Sequence, residues 1–158
     1  MRKAMTAVIL SVAASAAALA IASPAAASTS TEHFSLISVS TNESHIVYSV
    51  IATGRFTAGG TAVMTGKKVT LRFQQGTIAL NVTNRHHTIT SYPGCLQTDT
   101  SSGTYAIAGG TGAYTGISGS GTSAVKVTFV ENMVNGTCSG NPAAIQAIVT
   151  ASGPVSLP

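Results

Sequence analysis

Apolar and polar residues alternate along most of this chain, a pattern that predicts β-strands rather than helices. In the clearest run, residues 68–74, Val69, Leu71 and Phe73 fall on one face and polar side chains fall on the other. The next run, residues 78–82, repeats this alternation. The predicted strands cover residues 34–39, 44–53, 55–65, 68–74, 78–82, 103–108, 113–116 with a continuation to 119, 122–131 and 143–152.

Short strands separated by tight turns, without helical periodicity, indicate an all-β fold. A loop is predicted at residues 88–101, which contain Pro93, Gly94 and Cys95. Both a sandwich and a closed barrel accommodate seven to nine such strands. We favour a small closed antiparallel barrel of about eight strands, because closure removes exposed sheet edges and glycine-rich corners suit a barrel.

Glycines are concentrated in residues 103–121, between a short apolar run and small hydroxyl residues. Glycine is favoured where a backbone needs positive φ, a bulge or a close approach to another strand. A nucleotide-binding loop is disfavoured, because Thr115 stands at the third glycine of G-x-G-x-x-G and the following glycines oppose a helix. The segment is therefore predicted to form sharp corners of a sheet, and its structural glycines are Gly109, Gly110, Gly112, Gly116 and Gly119.

Residues 105–116 read Tyr-Ala-Ile-Ala-Gly-Gly-Thr-Gly-Ala-Tyr-Thr-Gly, and Ser-Gly-Ser-Gly-Thr follows at 118–122. This segment resembles the strand and turn signature of the allene oxide cyclase-like barrel superfamily, which includes the plant dirigent proteins and bacterial secreted relatives. A weaker echo lies at residues 54–61. The resemblance implies a calycin-like barrel of eight antiparallel strands with an apolar central cavity, and it transfers no activity by itself.

The first 27 residues have the organisation of a secretory signal peptide. A positively charged start is followed by the apolar residues 4–21, and residues 24–27 end in a small-x-small site. An uncleaved membrane anchor is the alternative, since this apolar run is just long enough to span a bilayer. Alanine is only weakly hydrophobic, so we expect cleavage after Ala27, a single domain over residues 28–158, and a secreted protein whose alanine-rich leader is typical of bacteria.

Charged residues are scarce. The whole chain has a formal charge of +4, and without Arg2 and Lys3 the predicted domain keeps six basic and four acidic residues, or +2. Nucleic-acid binding requires a clustered basic surface, whereas the only adjacent basic pair is Lys67-Lys68. We expect no nucleic-acid partner, no membrane contact after cleavage and no cofactor. A small apolar ligand is the expected partner. The sequence is also compatible with a homo-oligomer.

Both cysteines of the chain, Cys95 and Cys138, lie in segments rich in turn residues. An even number of cysteines in an exported chain predicts one disulfide, which here would pin two loops together. A redox-active or nucleophilic thiol is the alternative, and the absence of a C-x-x-C pair disfavours it.

The densest polar cluster is Asn-Arg-His-His-Thr at residues 84–88. Alternation places Arg85 and His87 on one face and His86 on the other, so the histidines are poorly arranged to share a metal ion and no metal site is predicted. The simplest interpretation is a solvated strand end. The alternative is that Arg85 or His87 reaches the cavity mouth and meets an anionic or carbonyl group of a ligand.

The remaining chemistry rests on a few isolated side chains. Glu131 and Asp99, with Arg85, are weak catalytic candidates, since an apolar barrel mouth would raise the pKa of a carboxyl group. Surface solvation is the simpler interpretation of both carboxylates, and no serine has a triad context. The candidate ligand-binding residues are Tyr48, Phe73, Arg85, His87 and Tyr105.

Three functions fit these observations. We favour a secreted barrel that binds a small apolar ligand in its central cavity or has another extracellular role, without catalysis. The superfamily resemblance implies an alternative, an isomerase or cyclase whose cavity guides ring closure or coupling by confinement. The third is a structural surface protein with a filled barrel. A well-formed cavity would favour the first two, and a barrel packed solid would favour the third.

Overall fold

The computed structural model describes residues 29–42 and 45–158 as one closed β-barrel. Each strand pairs antiparallel with the next, and the last strand pairs with the first, from Thr29 opposite Ser156 to Ile37 opposite Ile148. This confirms the predicted fold class. The strands are β1 (Thr29–Asn42), β2 (His45–Thr53), β3 (Ala58–Thr65), β4 (Lys68–Phe73), β5 (Gly76–Tyr92), β6 (Leu96–Gly110), β7 (Ser118–Val134) and β8 (Thr137–Ser156).

The alternation read from the sequence decides which side chains face the interior. In β4, Val69, Leu71 and Phe73 are buried, as predicted, because successive side chains of a strand point to opposite faces. Ile78 and Leu80 of β5 are buried in the same way. The core therefore lies along the barrel axis.

The predicted loop at residues 88–101 is wrong. Strand β5 continues to Tyr92 and β6 starts at Leu96, so only residues 93–95 form the turn. Pro93 and Gly94 indeed mark a turn, but the threonines and Ile89 around them are β-formers that extend the two strands. In this hairpin residues 88–92 are all exposed and residues 96–99 are all half-buried, so neither strand shows the alternation of buried and exposed positions that marks a barrel wall.

The predicted strand at residues 113–116 is also wrong. Residues Gly112–Tyr114 form one turn of 3-10 helix, and β7 starts at Ser118. The turn is docked on the β4–β5 connection, where the Ala113 N–H donates to the Gln75 carbonyl oxygen at 2.9 Å. Tyr114 is buried by this arrangement, so its aromatic side chain packs into the core without belonging to a strand.

The two ends of the barrel are built differently. At the closed end, which holds the β2–β3, β4–β5 and β6–β7 connections, four aromatic rings fill the interior. We call this set the aromatic plug, and its rings contact one another at centroid distances of 5.0–6.4 Å. Its members are Phe34, Phe56, Phe73 and Tyr114.

At the open end, β5 to β8 are much longer than β2 to β4 and extend past them as a four-stranded flap. The flap comprises residues 88–92, 96–100, 126–134 and 137–147. Its two hairpin tips are joined by the Cys95–Cys138 disulfide, with a Cα–Cα distance of 5.4 Å. The predicted disulfide is thereby confirmed.

The predicted signal peptide, residues 1–27, lies outside the described residues. Within residues 29–42 and 45–158, the structure has no helix of the length and apolarity needed to cross a membrane.

Candidate functional site

A cavity of about 430 Å³ occupies the barrel between the aromatic plug and the open end. It is formed by the inward faces of all eight strands, together with the β3–β4 turn. Its lining is mainly apolar, because these strands place aliphatic residues at every second position. The apolar residues that line it are Phe34, Leu36, Tyr48, Met64, Val69, Leu80, Val82, Tyr105, Val125, Val127, Val149 and Ala151.

Three charged or titratable side chains line the cavity at its open end, and we call them the mouth cluster: Lys67, His87 and Asp99. His87 Nδ1 lies 3.1 Å from Asp99 Oδ1, which makes an ion pair when the imidazole is protonated. The side chain of His87 is 59% exposed and that of Asp99 is 27% exposed. A molecule entering the cavity therefore passes charged groups of both signs before it reaches apolar walls.

A β-bulge brings His87 into the mouth cluster. The register between β5 and β6 shifts between Asn84 and His86, so one extra residue stands in β5 at this point. Leu80 and Val82 line the cavity before the bulge, Thr83 also contacts it, and His87 lines it afterwards, whereas strict alternation from Leu80 and Val82 selects even-numbered positions. The bulge therefore re-aims the end of the strand, as bulges beside binding sites commonly do.

Glu32 lies at the closed end and is completely buried. Its Oε2 accepts a hydrogen bond from the Phe56 N–H at 3.3 Å, while its Oε1 has no hydrogen-bond partner among the described residues. Burial raises the pKa of this carboxyl group, and the backbone bonds from Phe56 and Arg55 and the charge of His33 oppose the rise only in part. A neutral, protonated Glu32 is therefore favoured over a wider pH range than usual.

Tyr105 connects this carboxyl group with the cavity. Its ring lines the cavity and stands edge-on to Phe34 at a centroid distance of 6.1 Å. Its hydroxyl group is buried and has no hydrogen-bond partner among the described residues. Burial raises the pKa of Tyr105, and the negative charge of Glu32 adds to the rise. An unpaired hydroxyl group thus lies behind the cavity wall in apolar surroundings.

The sequence-predicted ligand-binding residues fall into three groups. Tyr48, His87 and Tyr105 line the cavity. Phe73 belongs to the aromatic plug, where it packs against Phe56 and Tyr114. The side chain of Arg85 lies outside what the structure describes.

The two carboxylates proposed as weak catalytic candidates have different surroundings. Asp99 lines the cavity as part of the mouth cluster. Glu131 lies in the flap, where Oε1 accepts from Gln97 Nε2 at 2.8 Å and Oε2 accepts from the Gly140 N–H at 3.1 Å. Its own N–H donates to the Cys95 carbonyl oxygen at 2.9 Å. Glu131 thus holds the flap tip together and does not line the cavity.

Comparison of the chain with protein-family models, with curated proteins and with solved structures gave no match. Among the residues that the structure describes, no three His, Cys, Asp or Glu side chains are grouped so that they could hold a metal ion. The cavity and the side chains that line it form the candidate functional site.

Sequence reasoning missed Glu32 and Lys67 as residues of interest. Glu32 shares the inward face of β1 with Phe34 and Leu36, so the period-2 pattern extended two residues further would have marked it as a buried carboxylate. Lys67 is in the β3–β4 turn at the cavity mouth, and no local pattern distinguishes it from an ordinary turn lysine. Its position follows only from the closure of the barrel.

Proposed function

We propose that this protein binds a small, largely apolar molecule inside its barrel. The observation that carries the proposal is the cavity of about 430 Å³ with its aliphatic and aromatic lining. Protein interiors are otherwise packed to nearly crystalline density, and ligand pockets generally measure about 300–1,000 Å³. A space of this size in so small a barrel is large enough for one small ligand.

Polar groups at both ends of the cavity support a ligand with some polar character. The Tyr105 hydroxyl group lies behind the inner wall without a hydrogen-bond partner among the described residues, and leaving such a buried group unpaired costs about 1–3 kcal/mol; a small shift of the ring would turn the group towards a ligand. Lys67 and His87 offer positive charge or hydrogen bonds at the mouth. An apolar body with an anionic or carbonyl group at one end satisfies this arrangement.

We further propose that the protein acts outside the cell. The apolar leader with its small-x-small site supports export. The Cys95–Cys138 disulfide also supports it, since structural disulfides persist in oxidising compartments.

A second candidate is the cyclase or dirigent-like activity of the superfamily that residues 105–122 resemble. The specific support is Glu32, a fully buried carboxyl group at the closed end whose pKa is raised by burial, together with Tyr105, which lines the cavity. A carboxyl group with a raised pKa is suited to donate or accept a proton in general acid–base chemistry. The narrow apolar walls would hold a flexible substrate in one folded geometry, which is the main requirement for directing ring closure or coupling.

The third function, a structural protein with a filled barrel, has weaker support. The aromatic plug fills only the closed end, while the cavity leaves the other part open. Scaffolds gain stability from full packing, because unfilled core volume loses dispersion contacts.

Native mass spectrometry of the protein, purified without denaturant from its own source and measured before and after organic extraction, tests the proposal. We expect a non-covalent mass that extraction removes. The chemistry of the released molecule separates the two leading functions: an inert compound indicates a carrier, and a reactive polyunsaturated or radical-forming compound indicates a cyclase or coupling guide. An unchanged bare mass before and after extraction would contradict a tightly held natural ligand.

A further inference from the structure

Strand β5 extends well beyond its neighbour β4. The last ladder pair between them joins Lys68 with Asn81, and the Val82 N–H still donates to the Lys67 carbonyl oxygen at 2.8 Å. From Thr83 to Tyr92, β5 pairs only with β6 among the described strands. Its outer side therefore presents unpaired backbone N–H and C=O groups, which are a template for another strand.

The flap has a second edge on β8, and this edge is protected. Beyond Ile148, β8 no longer pairs with β1, and the Ala147 N–H is taken by Ser38 Oγ at 2.9 Å. Further out, Pro142 has no N–H to donate, and Gly140 has a φ of 75°. Prolines and backbone irregularities are common devices that prevent edge-to-edge pairing.

The β5 edge has a bulge between Asn84 and His86, and beyond this bulge it lacks such devices. We define the edge segment as residues 86–92, which read His-His-Thr-Ile-Thr-Ser-Tyr. It contains no proline, glycine, carboxylate, lysine or arginine, and its threonines, isoleucine and tyrosine are strong β-formers. All seven residues are exposed. Short segments of this composition on an open edge pair readily with other chains.

The edge segment is complementary to a second, antiparallel copy of itself. An antiparallel pair of two copies with its twofold axis at Ile89 sets Ile89 opposite Ile89, and Thr88 opposite Thr90. His87 then faces Ser91, and His86 faces Tyr92. No two histidines stand opposite each other, and the central pairs are of the β-branched and hydroxyl kinds that stabilise neighbouring strands.

We propose that the edge segment of β5 binds the same segment of a second copy of this chain, joining two flaps into one continuous eight-stranded sheet. Such a contact is isologous and closes after two copies. The protected β8 edge prevents further strand addition at the other side. At about 3.3 Å per residue the contact is about 23 Å long, so we expect a reversible dimer that depends on protein concentration. The proposal requires no bound ligand, and His87 is the residue that the edge segment shares with the mouth cluster.

Sedimentation velocity of the disulfide-intact protein, from micromolar to millimolar concentration, tests the proposal with three double variants. Thr88→Lys with Thr90→Lys sets like charges opposite each other across the proposed pair. Thr88→Lys with Thr90→Glu sets opposite charges there. Thr122→Lys with Thr150→Lys is the matched control, because both threonines are exposed on strands paired on both sides.

We expect the parent protein and the control to show the same monomer–dimer transition. The lysine–lysine variant should need at least tenfold more protein to dimerise, and the lysine–glutamate variant no more protein than the parent. A parent that stays monomeric throughout would overturn the proposal, as would a lysine–lysine variant that dimerises like the control. A lysine–glutamate variant as impaired as the lysine–lysine variant would overturn the register centred on Ile89.

Discussion

Glu32 combines complete burial with a carboxylate oxygen that has no partner among the described residues. Burial of a carboxyl group disfavours its charged form, and the raised pKa of Glu32 expresses this cost. Natural proteins tolerate such costs as long as enough stability remains. The charge of Glu32 also raises the pKa of Tyr105, which lines the cavity, so Glu32 acts on the site from the closed end without lining it.

Glu32→Gln tests this cost through its pH dependence. The folded chain holds the proton of Glu32 more tightly than the unfolded chain, so the free energy of unfolding falls as pH rises through the interval between the two pKa values and stays low above it. Glutamine keeps an acceptor for the Phe56 N–H and cannot ionise.

We therefore expect urea unfolding at pH 8 to show a more stable variant, by about 1.4 kcal/mol for each unit of raised pKa. Below the ordinary pKa of 4.5 the gain should vanish. An equal gain at pH 8 and pH 3.5 would mean that ionisation has no part in it.

Gly110 is one of the sterically constrained glycines of the glycine-rich segment. A Cβ atom there would collide with the Tyr114 backbone oxygen and lie 2.8 Å from Ile117 Cγ2. Gly110→Ala should therefore lower the free energy of unfolding by about 1–3 kcal/mol. Gly59→Ala is the matched control, because a Cβ at Gly59 meets no atom within 4 Å. Chemical denaturation of both variants measures the difference, and equal stabilities would contradict the role assigned to Gly110.

At the scale of elements, the flap separates what the sequence could predict from what it could not. The alternation in β4 and the first part of β5 predicts their inward faces because one side of each strand is buried. In the flap neither β5 nor β6 alternates between buried and exposed positions, so both were missed beyond the barrel wall. The bulge between Asn84 and His86 adds one residue without a distinctive sequence signal, yet it decides that His87 reaches the cavity.

The disulfide should stabilise the flap and contribute little to the cavity. Removing it with Cys95→Ser and Cys138→Ser opens a loop of 43 residues in sequence, which in the chain-entropy model costs about 4 kcal/mol of stability. Hydrogen exchange should accelerate most in residues 88–92 and 137–147. The lower global stability also accelerates amides of β1 to β4 that exchange by complete unfolding, so the flap effect is the acceleration in excess of theirs. If residues 88–92 and 137–147 accelerated no more than β1 to β4, the disulfide would have no specific role in the flap.

At the scale of the whole molecule, the barrel is packed at one end and hollow towards the other. The glycine segment predicted a closed barrel, and closure brought together Lys67, His87 and Asp99 from distant parts of the chain. These three residues come from the β3–β4 turn, β5 and β6, and the pairing of these elements brings them together. No local sequence pattern predicts that proximity. The same closure buries Glu32 beside the aromatic plug, so both chemical features of the site are consequences of topology.

A titration with the neutral fluorescent probe N-phenyl-1-naphthylamine tests the central claim most directly. Val127→Trp places a large ring into the cavity from its wall, while Ile148→Trp adds the same ring to the outer face of the neighbouring strand, where the side chain is 40% exposed. We expect saturable binding of one probe per chain to the parent and to Ile148→Trp, and at least tenfold weaker binding to Val127→Trp. A parent that binds no probe, or equal binding by both tryptophan variants, would contradict a ligand site inside the barrel.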